Sequence, residues 1–147
     1  MDMDQRLIGE RSQPVFQEVE RGSIRRFAQA IGLTDAKYRD VEAAQALGYR
    51  DIVAPPTYAV TLLPWEIPGI QLPTAGVLHG EQSFEWEDSI CAGDVLSVTG
   101  WVDTVKSRGS MHIITIASEG INQMGNLAFR AQAVLIVTEE ATHANRG

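Results

Sequence analysis

The chain has 147 residues, 44% of them apolar and 21% charged, with a net charge of −7 and a pI near 4.9. That is the size and balance of one compact core, and the acidic charge argues against a nucleic-acid or membrane-surface binder, both of which want a basic face. The single Cys91 allows no internal disulfide and suits a reducing compartment, so a cytoplasmic protein is expected.

Met1-Asp-Met-Asp opens without an apolar run, which reads as no signal peptide. The polar start up to about Ser12 and the tail Ala141–Gly147 are expected to be frayed. Pro14 to Glu20 alternates as a first strand. Ser23 is the expected N-cap of a helix carrying Ile24, Phe27, Ala28 and Ile31, stopped by Gly32. A second helix is expected from about Val41 to Leu47, closed by Gly48. The most apolar stretch, Ile52 to Leu63, is too short and too proline-broken to span a bilayer. It predicts a buried helix, roughly Pro56 to Leu63, with proline in its first turn and Pro64 at its end.

From Gly76 the period changes to two. Leu78, Gln82, Phe84 and Trp86 are expected on one strand face, with His79, Glu81, Ser83 and Glu85 on the other. Strands over Val95–Asp103, Met111–Glu119 and Leu127–Val137 follow, separated by turns at Ala92-Gly-Asp94, Lys106–Ser110 and Gln123–Asn126. The expectation is an α+β domain whose four late strands form a meander around the apolar helix. The whole of 1–147 is taken as one domain, with its core at about 14–138.

Local catalytic signatures fail. His79-Gly-Glu81 opens like a zinc-deaminase motif, but the downstream cysteine pair is missing. No His pair has metal-ligand spacing, and there is no nucleophile elbow, P-loop or dinucleotide fingerprint. No metal or other cofactor is expected. Cys91 has no neighbouring base and reads as packing.

Three stretches in order carry a family likeness. Phe27-Ala-Gln-Ala-Ile-Gly-Leu-Thr-Asp-Ala-Lys-Tyr-Arg-Asp40 resembles a worn copy of the MaoC-like hydratase motif, Phe-Ala-x-Leu-Ser-Gly-Asp-x-Asn-Pro-x-His-x-Asp. Gly48-Tyr-Arg-Asp-Ile-Val-Ala-Pro-Pro-Thr57 resembles the lead into that family's central helix. His79-Gly-Glu-Gln-Ser-Phe-Glu-Trp86 with Ala92-Gly-Asp-Val-Leu96 resembles the strand and turn that follow. The resemblance covers about residues 14–138. It implies a hot-dog fold and an acyl thioester, of coenzyme A or of an acyl carrier protein, reversibly hydrated at a trans-2-enoyl group. It further implies an Asp and a His that activate water, and a backbone N–H at the helix start that holds the thioester oxygen.

At those positions this chain has Leu33 for the Asp and Tyr38 for the His. Pro56 stands where the glycine N–H should be, and proline has none. The pattern resembles non-catalytic subunits of two-component dehydratases, such as the mycobacterial fatty-acid complex, whose partner supplies Asp and His. A homodimer or a heterodimer with such a partner is therefore expected. Asp35, Tyr38 and His79 are the candidate catalytic residues that remain. Asp35 and Tyr38 are candidates for a substitute acid–base pair, although a turn-stabilising Asp beside a half-buried Tyr is preferred. His79 and Glu81 are candidates to meet substrate or partner, against the plainer reading of a polar face. Pro56, Thr57, Tyr58, Leu62, Glu81 and Gln82 are the candidate substrate-binding residues, Thr57 and Tyr58 offering the next N–H groups. Arg25, Arg26, Lys106 and Arg108 are candidates for coenzyme A phosphates. The competing functions are a self-sufficient homodimeric hydratase using other residues, and an acyl-thioester binding module or thioesterase.

Overall fold

A computed structural model describes residues 2–64 and 66–138. Its main sheet has five antiparallel strands in the order β2-β5-β6-β7-β4. These are β2 (Val15–Glu18), β4 (Val77–Trp86), β5 (Val95–Arg108), β6 (Met111–Ile121) and β7 (Leu127–Thr138). Two-residue strands β1 (Asp2–Met3) and β3 (Ile70–Gln71) pair separately. The helices are α1 (Arg21–Ala30), α2 (Val41–Ala46) and a 3₁₀ helix, Pro56–Leu62.

The alternation along β7 decides which way the sheet faces. Phe129, Ala131 and Val137 point inward and are buried. Across the ladders they stand opposite Gly120, Ser118 and His112 of β6, and Trp86, Phe84 and Val77 of β4. The 3₁₀ helix lies against one half of this concave face. Tyr58, Ala59 and Leu62 pack with Ile24 of α1 onto Leu96, Val98, Phe129 and Ala131. This is the hot-dog arrangement, with two qualifications. The central helix is 3₁₀, with Pro55 at its N-cap and Pro56 in its first turn, where the missing N–H groups cost no helical hydrogen bond, while Pro64 disfavours α geometry at Leu63. It is also wrapped on one side only, since Val60 remains 42% exposed.

Gly120 permits the closest packing on the concave face. A Cβ there would lie 2.3 Å from the Phe129 ring, so the fully buried phenyl group occupies the space of the absent side chain.

Several sequence expectations are corrected. The late strands are not one meander: β5, β6 and β7 are, but β4 pairs with β7 at the far edge. The reason is the connection 87–94. It buries Ile90, Cys91, Ala92 and Asp94 while carrying the chain across the end of the sheet. β5 continues past its expected end to Arg108, with a bulge between Val102 and Thr104. The start of the chain is paired as well: Asp2 and Met3 pair with Gln71 and Ile70, and the Gly100 N–H donates to the buried Ser12 hydroxyl at 3.0 Å. Ser23 is not the N-cap of α1. Glu20 occupies that position, and the Ser23 hydroxyl donates to its carbonyl oxygen at 2.8 Å. The tail 141–147 lies outside the described residues.

One buried carboxylate ties these parts together. Asp94, 2% exposed, accepts from Arg50 Nη2 at 2.8 and 3.0 Å, from the Cys91 N–H at 2.9 Å and from Gln123 Nε2 at 3.0 Å. Burial works against the Arg50 charge, but the Asp94 carboxylate more than offsets it and holds the guanidinium pKa above its ordinary value. A second pair, Arg21 to Asp51 at 2.8 and 3.1 Å, fastens the start of α1 to the same segment. The Arg21 hydrogen bonds hold the Asp51 carboxyl below its ordinary pKa. That share of stability is full above the unfolded-state value of about 3.9 and is lost as pH falls through the lower folded-state value.

Truncating the carboxylate strands three donors, so Asp94→Ala is expected to cost about 3 kcal/mol in urea unfolding. Arg50→Met leaves the buried Asp94 charge with two neutral partners and no counter-ion, so about 3 kcal/mol is again expected. A loss below about 1 kcal/mol for either variant would mean that this network is not what holds the corner.

Candidate functional site

Two cavities open at opposite ends of the 3₁₀ helix. The smaller, about 360 Å³, lies at its start and is lined by Tyr38, Tyr49, Val53, Pro55, Pro56 and Trp86, among others. The larger is a groove of about 1100 Å³ at its far end. The floor of the groove is the concave sheet face, with Gln82, Ile116, Ser118, Ala133 and Leu135. Its roof is formed by Leu63, Pro64, Ile67, Pro68, Ile70 and Leu72 and by the stretch Ser12–Val15. Gly100 lets the roof sit low, since a Cβ there would come within 2.7 Å of Ile67 and 2.8 Å of Pro64.

Tyr38 ends a short 3₁₀ turn, Ala36–Tyr38, that faces the start of the central helix. Its ring is buried with Ala28, Val53 and Cys91, and Leu33 packs against the same cluster. The segment 50–54 is stitched to the 90–92 turn by Ala54 N–H to the Ile90 carbonyl at 2.7 Å and Ala92 N–H to that of Ile52 at 3.0 Å. Those bonds fix where Pro55 and Pro56 emerge. Neither proline offers an N–H, and the Tyr58 N–H is spent on the Pro55 carbonyl at 2.9 Å. Thr57 carries the first amide of the helix and does not line the small cavity.

The structure therefore brings together Tyr38 and Pro56, with Leu33 behind them. Asp35 is exposed at the N-cap of the short turn; its side chain makes no capping bond, and only its carbonyl accepts from the Tyr38 N–H. His79 is exposed and lines neither cavity. It does not share a face with Glu81, because a bulge at Gly80 sets His79 opposite Leu135 and Glu81 opposite Val134. One extra residue reverses every side chain before it, so His79 joins the Gln82 face and Glu81 points to the convex side. Tyr58 and Leu62 are core residues rather than cavity walls. The Tyr58 hydroxyl hydrogen-bonds to that of Ser23 at 2.8 Å, and its ring meets the edge of Phe27 at 5.5 Å. Gln82 does line the groove. Arg25 donates to the Arg39 carbonyl, while Lys106 and Arg108 lie at the other end of β5 on an exposed hairpin.

Sequence reasoning missed Trp86 and Glu87 at the small cavity, and Leu63, Ile67 and Ser118 at the groove. The available signal was the proline spacing at 64, 68 and 73, which marks an extended segment free to roof a cavity. Among the described residues no cluster of three potential metal ligands forms, and no helix is long and apolar enough to cross a membrane.

Against this geometry, the comparisons with known proteins are specific. A family model for the FAS1-like dehydratase domain region matches residues 6–131. A UPF0336 protein of Streptomyces coelicolor is 35% identical over 150 residues, covering 96% of this chain and 100% of its own. Among solved structures, a MaoC-like dehydratase from Rhodospirillum rubrum superposes with a TM-score of 0.68 at 27% identity, covering 89% of this chain and 92% of its own. A chain of the C-terminally truncated HadBC (3R-hydroxyacyl-ACP dehydratase) complex from Mycobacterium tuberculosis gives 0.76 at 23% identity, covering 92% and 99%.

Cys91 beside the small cavity is 1% exposed, and burial pushes its thiol pKa up. Its alkylation by iodoacetamide at pH 8 is expected to run at least about 100-fold slower than that of a free thiol, and to reach the free rate in denaturant. Fast alkylation of the folded chain would contradict an inert packing role.

Proposed function

Because the chain belongs to the FAS1-like dehydratase-region family, we propose that it is a subunit of an enoyl-thioester hydratase, or 3-hydroxyacyl dehydratase, whose catalytic Asp and His come from a partner chain. In the reaction a water oxygen bonds to C3 of a trans-2-enoyl thioester, a proton goes to C2, and negative charge builds on the thioester oxygen. The task needs a base for the water and a donor for that oxygen.

The observation that carries the reading is the chemistry of the small cavity. Leucine takes no proton, tyrosine with its reference pKa of about 10 is a poor base near pH 7, and proline donates no hydrogen bond. General acid–base groups are worth roughly 10²–10⁴-fold and an oxyanion donor about 10²–10³-fold. The carboxylates that do line the small cavity, Glu87 and Asp88, sit on the turn after β4 and not at the positions of the family's Asp and His, and Asp88 already accepts from the Ser89 N–H and Asn122 Nδ2. The chain is therefore read as contributing walls, the groove among them, rather than the hydration chemistry. The likeness to a chain of the HadBC (3R-hydroxyacyl-ACP dehydratase) complex supports a two-subunit arrangement. We take the whole chain as one domain acting in the cytoplasm on a coenzyme A or acyl-carrier-protein thioester. Asp35 and His79 remain the side chains to test for a self-sufficient route, although neither lines the cavity with Tyr38.

The test is hydration of crotonyl-CoA and of a longer enoyl-CoA by the pure chain. Alone it is expected to fall at least about 10²-fold below a good hydratase, and to gain activity with a partner bearing the Asp-x-Asn-Pro-x-His motif. Full rates from the lone chain, abolished by Asp35→Asn, Tyr38→Phe or His79→Ala, would establish the self-sufficient enzyme instead.

Assembly follows from the sheet edge. β4 is an edge strand of ten residues without lysine or proline, the residues that usually block pairing. Leu78 and Trp86 on it are 63% and 45% exposed. Light scattering is expected to return about twice the 16.1 kDa of the chain, through pairing of this edge with a second copy across a two-fold. A monomer at micromolar concentration would sink that expectation.

A further inference from the structure

The chain is acidic, but its charge is unevenly spread. The stretch Arg21 to Arg50 holds six of the twelve Lys and Arg residues and three of the nineteen Asp and Glu, a net +3 within a total of −7. It forms α1, the Ala36–Tyr38 turn and α2. A local reversal of sign draws anions that the rest of the molecule repels. Two of the six cations are neutralised, Arg21 by Asp51 and Arg50 by Asp94. Among the described residues no carboxylate forms an ion pair with the other four, Arg25, Arg26, Lys37 and Arg39.

Arg25 and Arg39 are nonetheless held in place. Arg25 Nε donates to the Arg39 carbonyl oxygen at 3.0 Å, and Arg39 Nη2 donates to that of Thr34 at 2.7 Å. Both side chains are exposed, and a guanidinium has five N–H donors, so each keeps most of its donors for a ligand. Main-chain carbonyls thus fix two heads without cancelling their charge. Nearby carboxylates have other work: Asp51 accepts from Arg21, and Asp40 caps α2 through the Ala43 N–H at 3.3 Å. Arg39 directly follows Lys37 and Tyr38, which line the small cavity, while Arg25 and Arg39 stand outside its lining. Glu87 and Asp88 line the cavity itself and disfavour a phosphate within it.

Resting on the acyl-thioester reading above, we infer that Arg25 and Arg39 form an anion site beside the small cavity, and that it takes a phosphate of the carrier bearing the acyl group. That phosphate is the chemistry shared by coenzyme A and by the phosphopantetheine arm of an acyl carrier protein. Guanidinium groups meet phosphate oxygens through paired, charge-assisted hydrogen bonds. The arrangement divides the ligand by charge, with the neutral thioester inside the cavity and the phosphate outside it. Nucleic acid is excluded because the remaining acidic surface would repel a long polyanion.

The experiment measures binding of butyryl-CoA, of butyryl-pantetheine, which has no phosphate, and of a butyryl acyl carrier protein to the full-length chain. All three are saturated next to the thioester and so not hydratable. Butyryl-CoA is expected to bind about 10-fold more tightly than butyryl-pantetheine. Raising NaCl from about 0.05 M to about 0.5 M should remove most of that advantage. Arg25→Gln combined with Arg39→Gln should bring the two ligands to equal affinity without weakening butyryl-pantetheine. Arg108→Gln removes the same charge from the hairpin at the end of β5 and should change nothing. Should the double variant fail to fold, Arg25→Gln alone, on an exposed side chain, still decides. A loss on butyryl-CoA alone, or on it and the carrier protein alike, supports the site and names the carrier. A loss on the carrier protein alone would place the contact on that protein's own surface and overturn the phosphate site. Equal affinity of the unaltered chain for butyryl-CoA and butyryl-pantetheine would overturn the inference and leave the acyl-thioester reading standing. No binding of any of the three would overturn both.

Discussion

The small cavity depends on a carboxylate that it never touches. Asp94 gathers Arg50 from the lead into the central helix, the Cys91 N–H from its own turn and Gln123 from the β6–β7 turn. Asn122 extends the network by donating to Asp88 at 2.8 Å. These contacts join the segment that delivers Pro55 and Pro56 to the end of the sheet that delivers Trp86. With Asp94 in place the two walls keep a fixed separation; a buried charge with fewer partners would pull the whole corner open.

What was legible in the residues was mostly periodicity. β7 alternates cleanly because one face meets the core and the other does not, and the apolar run before Pro64 declares a buried element. What escaped was set by tertiary contact or by a single irregular residue. Strand order cannot be read from alternation, since β4 has the same pattern whether it lies beside β5 or β7. The bulge at Gly80 is one residue, yet it moved His79 from one face to the other. The pairing of Asp2 and Met3 with β3 depends on partners about 68 residues away, and no local propensity reports it. At the site, Tyr38 and Pro56 were found through family likeness and their meeting is geometric fact. Leu62 looked like a wall because an apolar helix has no inherent outside.

The central helix also sets the relation between the two cavities. A 3₁₀ helix rises about 2.0 Å per residue against about 1.5 Å for an α-helix. Its seven residues therefore span about 14 Å rather than about 10 Å. That is the length of the rod between the small cavity at its start and the groove at its far end.

The position of β4 beside β7 has a consequence for the chain as it is made. Val77 finds its ladder partner in Val137 and Trp86 in Phe129, so the strand emerges about 60 residues before its neighbour is complete. At 5–20 residues per second, the ribosome leaves it waiting about 3–12 s. Throughout that interval both of its edges are open, with Leu78, Phe84 and Trp86 attached. The nascent protein therefore passes through a stage more adhesive than the finished one, and a chaperone or a second polypeptide would meet that strand before its own sheet does.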